Sequence, residues 1–353
     1  MNPVKTKPGK FTTTSWLLAG TMLTASGAIA ETSIRATGLV STHKFHTALE
    51  REFYDGLTET TGIPLSINFN PLDVVGVDMQ DTLRMVKSGA FDIVQSTVGA
   101  AARDDAFLEG VDLIGVSTSM EQLGEVIEAF RPELETRVAE KFNAKVLAMW
   151  PYGPQVFYCN AELTGLESLN GLKVRSYTAS MSTLLESLGA TPVTMSFKEV
   201  YPALQRGVVD CAITSPTSGN TGNWPEVTTH FLPLGISWSV NAHFMNLDKW
   251  NSFSEEEQSV LEDAFSKFEQ GFWDLAAENN GWAIACNTGG DGCKNYSEFD
   301  MTLVEPSEED HAAVTSATME KVLPSWAESC DASFSECSSI WNNTVGKVRG
   351  IRL

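Results

Sequence analysis

The chain has 353 residues, of which 42% are hydrophobic and 20% are charged, a balance typical of globular proteins and not of disordered ones. This length is enough for two domains with separate hydrophobic cores. The 45 acidic residues outnumber the 24 basic ones and give a net charge of −21, which disfavours nucleic acid as a partner and requires local positive charge wherever an anion binds.

The first thirty residues have the features of a secretory signal peptide. Lys5, Lys7 and Lys10 form a positively charged start. Residues 16–29 are mostly apolar or small, and residues 28–30 fit a small-x-small cleavage site. We therefore expect cleavage after Ala30 and a periplasmic product. The apolar stretch is too short to span a bilayer and no later segment replaces it, so the sequence predicts a protein that is not embedded in the membrane.

From residue 31 the pattern alternates between short strands and amphipathic helices. Residues 34–39 predict a strand, and apolar side chains at every fourth position over residues 45–57 predict a helix that ends at Gly62. Strand and helix patterns then alternate as far as Trp150. This alternation is typical of βαβ units, so we predict an α/β fold with a mostly parallel sheet covered on both faces.

A second unit follows, with strand patterns at residues 155–160 and 172–176 and a helix pattern at residues 181–188. Ser254 and Glu257 have the spacing of a capping box, and they begin a long helix that we expect to span both domains. No low-complexity linker separates the units, which favours strands that cross between domains and form a hinge. The predicted domain I comprises residues 31–152 and 239–278, and domain II comprises residues 153–238 and 279–353.

The six cysteines predict disulfides, because an even number in an exported chain is oxidised by default. Sequence alone permits fifteen connectivities. The close spacings favour Cys286 with Cys293 and Cys330 with Cys337, which leaves Cys159 with Cys211. A zinc site is disfavoured because the sequence has no Cys-x-x-Cys pair and no histidine near a cysteine at ligand spacing, so we predict no metal.

The sequence lacks common catalytic and cofactor motifs, including the Gly-x-Ser-x-Gly turn, the phosphate-binding loop, the dinucleotide Gly-x-Gly-x-x-Gly and the zinc motif His-Glu-x-x-His. We therefore predict no enzyme activity and no cofactor. An exported hydrolase that uses a pair of carboxylates remains an alternative. His43 and His46 lie three residues apart on a predicted helix, and an exposed helical face is favoured over a shared metal.

Arg175 is the strongest candidate for a ligand contact. It ends the predicted strand in "GLKVRSYTAS", residues 171–180, just before an amphipathic helix. The carboxyl ends of strands in open α/β sheets border the crevice where such folds bind ligands. A planar guanidinium suits a carboxylate through two parallel hydrogen bonds. A structural ion pair with one of the many acidic residues is an equally supported alternative.

Three linked motifs lie between residues 171 and 210. They are Gly-Leu-Lys-Val-Arg from Gly171, Leu-Gly-Ala-x-Pro-Val-x-Met from Leu188, and Glu-Val-Tyr-Pro-Ala-Leu-Gln-x-Gly-Val-Val-Asp from Glu199. In this order and spacing they resemble the DctP family, the solute-binding proteins of tripartite ATP-independent periplasmic (TRAP) transporters. The segment "RMVKSGAFDI" from Arg84 and the long helix after Ser254 are also similar to that family, so the resemblance covers nearly all of the chain after the leader.

The resemblance implies a two-domain periplasmic binding protein that closes on a small organic acid and delivers it to the TRAP membrane permease subunits. In that family the arginine of the Gly-Leu-Lys-x-Arg motif, here Arg175, holds the ligand carboxylate. Many relatives carry a second arginine near the position of Gln155 and a different sequence at residues 211–216, so we expect a ligand less anionic than a dicarboxylate. A zwitterionic or cationic solute remains an alternative, and a monomer is the simplest expectation.

The predicted cleft has a polar wall and an aromatic wall. Neutral side chains of domain II supply hydrogen bonds, two tryptophans flank the return to domain I, and three residues of domain I follow strands. With Arg175, the predicted ligand-binding residues are Gln155, Thr214, Ser215, Asn220, Trp224, Trp238, Phe45, Thr97 and Asp73. The other aromatic residues near the crossover, Trp150, Tyr152, Phe157 and Tyr158, are expected in the core.

Overall fold

The computed structural model describes residues 1–7, residue 9 and residues 31–353. Most of the predicted signal peptide, including the cleavage site at Ala30, lies outside the described residues. Within the described ranges, no helix combines the length and the apolar character that crossing a bilayer requires.

The described residues form two sheets, one in each domain. The strands are β1 (Thr32–Gly38), β2 (Leu65–Pro71), β3 (Ile93–Thr97), β4 (Ala144–Pro154), β5 (Val156–Cys159), β6 (Lys173–Ser176), β7 (Thr191–Thr194), β8 (Cys211–Thr214), β9 (His230–Leu232), β10 (Trp238–Asn246) and β11 (Thr302–Leu303). The first sheet has the order β2-β1-β3-β10-β4, and the second has the order β11-β9-β5-β8-β6-β7.

Both sheets are mostly parallel, as predicted, and each contains one strand that runs against the others. Strands β1, β2 and β3 are parallel, as are β6, β7 and β8, because each set belongs to βαβ units. Strand β10 is antiparallel to β3 and β4, and β5 is antiparallel to β8 and β9. The chain crosses between domains from β4 to β5 and from β9 to β10. The strands that follow these crossings, β5 and β10, run opposite to the other strands of their sheets.

Helices cover both faces of the sheets. The α-helices are α1 (Lys44–Thr61), α2 (Thr82–Lys87), α3 (Met120–Phe142), α4 (Ala179–Ser187), α5 (Phe197–Gln205), α6 (Pro216–Thr221), α7 (Leu247–Trp250), α8 (Glu255–Asn287), α9 (Glu308–Ala317), α10 (Leu323–Ser333), α11 (Cys337–Trp341) and α12 (Lys347–Arg349). The predicted helix from residue 45 is α1, and Gly62 ends it in the left-handed conformation at φ 72°.

The long helix α8 spans both domains, as predicted. It begins at the Ser254 capping box, in which the Ser254 N–H donates to Glu257 Oε2 at 2.8 Å. Its first half packs on domain I, where the Phe272 ring stacks on Trp150 with 3.9 Å between centroids. At its end in domain II, Asn287 Nδ2 donates to Tyr158 Oη at 2.7 Å. A rigid helix therefore joins the two domains beside the crossing strands.

The C-terminal helices pack on domain I, although the predicted boundaries place them in domain II. Residues 323–345 contribute to the core of the first domain, whereas the sequence assigns them to domain II. Trp326 Nε1 donates to the Ala106 carbonyl at 2.8 Å, and Trp341 Nε1 donates to the Gly110 carbonyl at 2.9 Å. The burial of two large indole side chains favours packing on domain I, although the preceding residues in the chain belong to domain II.

The three predicted disulfides are confirmed. Cys159 and Cys211 join the facing positions of β5 and β8, and the other two bonds close short loops. These two are Cys286–Cys293, after helix α8, and Cys330–Cys337, between α10 and α11. All six cysteines of the chain are therefore paired.

Candidate ligand-binding site

Arg175 lies near the carboxyl end of β6, with its side chain fixed by the backbone of neighbouring segments. Nε donates to the Met195 carbonyl at 3.2 Å, and Nη1 donates to the Ile213 carbonyl at 2.7 Å. These bonds hold the plane of the guanidinium. In the described part of the chain, Nη2 has no hydrogen-bond partner. One face of the guanidinium fork is thus free to bind a ligand.

The Arg175 side chain is a buried cation that carries no ion pair. Only 4% of the residue is exposed, and no acidic side chain among the described residues lies within 4.0 Å of its nitrogens. The aromatic rings of Tyr177 and Trp224 lie 4.9 and 5.8 Å from its guanidinium carbon. Burial lowers the pKa of Arg175 to about 10, so the group remains protonated at neutral pH. The structure does not support the alternative of a structural ion pair.

A cavity of about 50 Å³ lies between the two domains, next to Arg175. Its lining combines residues of both domains and of the crossing segments. These residues are Leu39, His43, Met79, Thr97, Tyr152, Gln155, Arg175, Tyr177, Phe197, Thr214, Ser218 and Ser239. An adjoining cavity of about 110 Å³ also borders Arg175, Tyr177 and Phe197, and a wider cleft of about 810 Å³ borders Tyr177.

Gln155 is held in the hinge, between β4 and β5. Its N–H donates to the Ser237 carbonyl at 2.8 Å, and its carbonyl accepts from the Ile236 N–H at 3.0 Å. The side-chain Nε2 donates to the Gly153 carbonyl at 3.1 Å, whereas Oε1 is buried without a partner among the described residues. The amide group is therefore oriented, and its oxygen retains an unused acceptor.

Aromatic and hydroxyl groups join the domains around the cavity. Ser218 Oγ donates to Tyr152 Oη at 2.6 Å, and Tyr152 Oη lies 2.8 Å from His43 Nδ1. Tyr177 Oη and Ser239 Oγ are 3.2 Å apart on the opposite side. These contacts tie side chains of domain II to domain I and to the crossing strands.

His43 and His46 are both buried, which corrects the prediction of an exposed helical face. His43 precedes α1 and contacts Tyr152, and the His46 ring stacks on Trp150 with 5.5 Å between centroids. Burial lowers the pKa of each histidine to about 3, so both are neutral at physiological pH. Within the described ranges, no group of three or more His, Cys, Asp or Glu side chains has the arrangement of a metal site.

Four predicted ligand-binding residues meet at the central cavity: Arg175, Gln155, Thr97 and Thr214. Asp73 instead lines the adjoining cavity, where Oδ1 accepts from the Ser41 N–H at 2.7 Å.

The other five predicted residues lie outside the lining of the central cavity. Ser215 caps α6 by accepting from the Ser218 N–H at 3.1 Å. Asn220 Nδ2 donates to Asn287 Oδ1 at 2.8 Å and so ties α6 to α8. Trp224 is buried beneath Arg175, and Trp238 packs beside the core of domain I. The Phe45 ring contacts Tyr296 with 5.0 Å between centroids.

Sequence reasoning did not select several residues of the lining, among them Tyr152, Tyr177, Phe197, Ser218 and Ser239. Tyr177 follows Arg175 by two positions, and side chains two apart in an extended segment share a face. That spacing was a usable signal. The others reach the cavity through long-range packing between domains, which leaves no local pattern in the sequence.

Comparison with known proteins agrees with this architecture. Residues 36–329 match the model of the DctP family, described as bacterial extracellular solute-binding protein, family 7. The chain belongs to that family. A curated relative, the C4-dicarboxylate-binding periplasmic protein DctP of Rhodobacter capsulatus, is 30% identical over 139 residues, which are 39% of this chain and 42% of that protein.

A second curated relative is the sialic acid-binding periplasmic protein SiaP of Vibrio cholerae. It is 26% identical over 223 residues, which are 60% of this chain and 67% of that protein. The alignment with the ectoine-binding periplasmic protein TeaA of Halomonas elongata spans 39% of that protein, so the chain matches about two fifths of both DctP and TeaA.

Solved structures of solute-binding receptors share the fold. DctP6 of Bordetella pertussis, an extracytoplasmic solute receptor binding pyroglutamic acid, superposes with a TM-score of 0.78 at 19% identity over 90% of this chain and 100% of that chain. A TRAP periplasmic solute-binding protein of Desulfovibrio salexigens with bound orotic acid gives a TM-score of 0.79 at 16% identity, over the same shares of the two chains. At these identities the likeness concerns the fold.

Proposed function

We propose that this DctP-family chain is the periplasmic receptor of a TRAP transporter, and that it binds a small organic acid between its domains with Arg175 on the carboxylate. The receptor then delivers the solute to the membrane permease subunits. In this account the leader is removed after Ala30, the mature chain is a monomer, and the protein performs no chemical reaction on its ligand.

The observation that carries this proposal is the buried, unpaired charge of Arg175 beside the interdomain cavity. Burying a cation without a counter-charge is costly, and a carboxylate that enters the closed cleft would remove that cost. Charge-assisted bonds to a guanidinium are also directional, so the solute would be oriented as well as held. The acids in the names of the relatives, C4-dicarboxylate, sialic acid, pyroglutamic acid and orotic acid, support the same chemistry.

The position of the cavity between the two domains supports a receptor that closes on its ligand. The cavity takes its lining from both domains, so a ligand there stabilises the closed arrangement by its contacts on both sides. Lys198 Nζ of domain II lies 2.6 Å from Asp78 Oδ1 of domain I, and the Ser180 N–H donates to Glu109 Oε1 at 2.8 Å. Both contacts would open when the domains separate.

The alternative of an exported hydrolase rests on Glu109 and Asp112, two buried acids. Burial raises the pKa of Glu109 and raises that of Asp112 to about 8. However, Glu109 accepts from the Ser180 N–H, and Asp112 Oδ2 accepts from the Val240 N–H at 3.0 Å. Asp112 does not line the cavities described above, and Glu109 borders the wider cleft with its carboxylate already bonded to the Ser180 N–H, so structural roles explain both acids better than catalysis.

The test is the melting temperature of the mature chain, from Glu31, after unfolding and refolding to remove any bound solute. The panel contains dicarboxylates, monocarboxylates, sugar acids, aromatic acids, zwitterions and amines. A ligand at a thousand times its dissociation constant adds about 4 kcal/mol of stability, which is seen as a clear rise in melting temperature. We expect such a rise with an acid. We also expect that this acid is recovered chemically unchanged after incubation with the protein. Stabilisation by amines alone, or conversion of the acid, would contradict the proposal.

A further inference from the structure

We propose that the solute is a monocarboxylate that also carries an uncharged N–H or O–H donor, and that Gln155 Oε1 accepts from this donor and determines specificity. The inference rests on the proposed function, because it assumes that the cavity beside Arg175 is where the solute binds. It adds the chemical class of the solute and the residue that selects it.

The charge of the central cavity matches one carboxylate. Among the residues that line it, Arg175 is the cation, and His43 is neutral because burial lowers its pKa to about 3. A second carboxylate of a ligand would therefore be buried without a counter-charge. The lining also includes no Asp or Glu, so an ammonium group would lack a counter-charge as well. The ligand end opposite to the carboxylate is expected to be uncharged.

The neighbouring acids do not change this balance. Asp73 and Asp78 line the adjoining cavity, where Asp73 Oδ1 accepts from the Ser41 N–H and Asp78 pairs with Lys198 at 2.6 Å. Both carboxylates are thus already partnered.

Gln155 supplies an acceptor whose orientation is fixed. The Gly153 carbonyl can only accept, so the amide nitrogen of Gln155 must face it, and Oε1 is the atom left over. Only 2% of Gln155 is exposed, and Oε1 has no partner among the described residues. A buried oxygen without a donor destabilises the closed state, and a donor on the ligand would remove that defect.

Thr97 adds a second acceptor to the same lining. Its hydroxyl hydrogen is used in the bond to Asn241 Oδ1, at 2.7 Å, so only lone pairs remain for a ligand. Beside the cation and several hydroxyl groups, the cavity therefore offers two oxygens that can only accept, Gln155 Oε1 and Thr97 Oγ1. The complement of this pattern is a carboxylate and a hydrogen-bond donor in one small molecule.

The experiment compares matched ligands by titration calorimetry on the mature wild-type chain. Pyroglutamate is paired with 3-oxocyclopentane-1-carboxylate, which replaces the ring N–H by CH₂, and lactate is paired with propionate, which lacks the hydroxyl. Succinate and proline represent the dicarboxylates and the zwitterions. We expect the donor-bearing member of at least one pair to bind about tenfold or more tightly than its partner, and more tightly than succinate or proline.

The variant Gln155→Met removes the acceptor while nearly preserving side-chain length. We expect the ratio of the two affinities within the discriminating pair to fall to about one, mainly because the donor-bearing acid binds more weakly. An unchanged melting temperature without ligand shows that the variant folds. The wild-type comparison does not depend on this variant.

Three results would overturn the inference. Tight binding of a monocarboxylate with equal affinity within each pair would remove the role of Gln155 and leave the proposed function intact. Tighter binding of succinate or proline than of every donor-bearing monocarboxylate would have the same consequence. Failure of every acid to bind, with amines binding instead, would contradict the proposed function itself.

Discussion

The backbone N–H of Ser180, at the start of α4, donates to Glu109 Oε1 across the interdomain cleft at 2.8 Å. Glu109 belongs to domain I and is almost fully buried, and burial raises its pKa. The bond satisfies one of the free N–H groups at the beginning of a helix in the other domain. It is therefore an interdomain contact of the closed state, and both of its residues line the wider cleft.

Glu109→Ala should weaken ligand binding about fivefold to tenfold, because the loss of one interdomain hydrogen bond costs about 1 kcal/mol of closure. Glu109→Gln keeps an acceptor and should bind nearly as tightly as wild type. Titration calorimetry with the acid that stabilises the wild type most measures both effects. Glu128→Ala, an exposed acid on α3, is the matched control. Equal affinities of Glu109→Ala and the wild type would show that this contact does not contribute to closure.

Asp112 should make stability fall as the pH rises. Burial raises its pKa from 3.8 to about 8, so between about pH 4 and pH 8 the folded state retains a proton that the unfolded chain has lost. The slope from one such proton is at most about 1.4 kcal/mol per pH unit. Asp112→Asn keeps an oxygen for the Val240 N–H and removes this contribution. In urea unfolding at several pH values, the free energy of unfolding of the variant should rise relative to that of the wild type as the pH increases. Parallel pH profiles of the two proteins would contradict the assignment.

The Cys159–Cys211 bond should stabilise the fold more than Cys330–Cys337. The first closes a separation of 52 residues and the second a separation of 7. Loop-closure entropy then gives about 4 and about 2.4 kcal/mol. Double alanine variants at each pair, compared by chemical denaturation, measure the difference. An equal loss in the two variants would mean that packing around the sulfurs, and not chain entropy, sets their contribution.

Lys198 and Asp78 should contribute little to closure, although they lie 2.6 Å apart across the cleft. Their side chains are 61% and 48% exposed, and exposed ion pairs contribute about 0–1 kcal/mol. Lys198→Ala should lower affinity less than about fivefold, and the effect should diminish in high salt. A loss of more than about 50-fold, insensitive to salt, would instead place Lys198 in direct contact with the ligand.

Local signals in the sequence predicted much of the fold. The apolar periodicity of α1, the Ser254 capping box of α8 and the short spacings between cysteines each act within a few residues, and all three predictions are confirmed. The single reversed strand in each sheet and the docking of Trp341 on domain I were not predicted. Both depend on contacts between segments far apart in the chain, which local periodicity does not encode.

The candidate site shows the same limit. Arg175 was predicted from its place at the end of a strand, and Gln155 from the position at which many members of the resembling family carry a second arginine. Trp224 was expected at the ligand but lies beneath Arg175, because the sequence does not indicate which side of the guanidinium an aromatic ring covers. Ser218 reaches the cavity only because α6 packs against the crossing strand that carries Tyr152.

The central claim is that Arg175 holds the carboxylate of the solute, and the most direct measurement is the affinity of Arg175→Lys. Lysine keeps the charge but loses the planar fork and the bonds to Met195 and Ile213 that orient it. Removing one partner of a buried charge pair costs about 2–5 kcal/mol, so we expect binding of the preferred acid to weaken at least about 30-fold. Arg206→Lys, on the exposed surface of the same domain, is the matched control and should bind like wild type. An Arg175→Lys variant that folds and binds the acid with wild-type affinity would contradict the account.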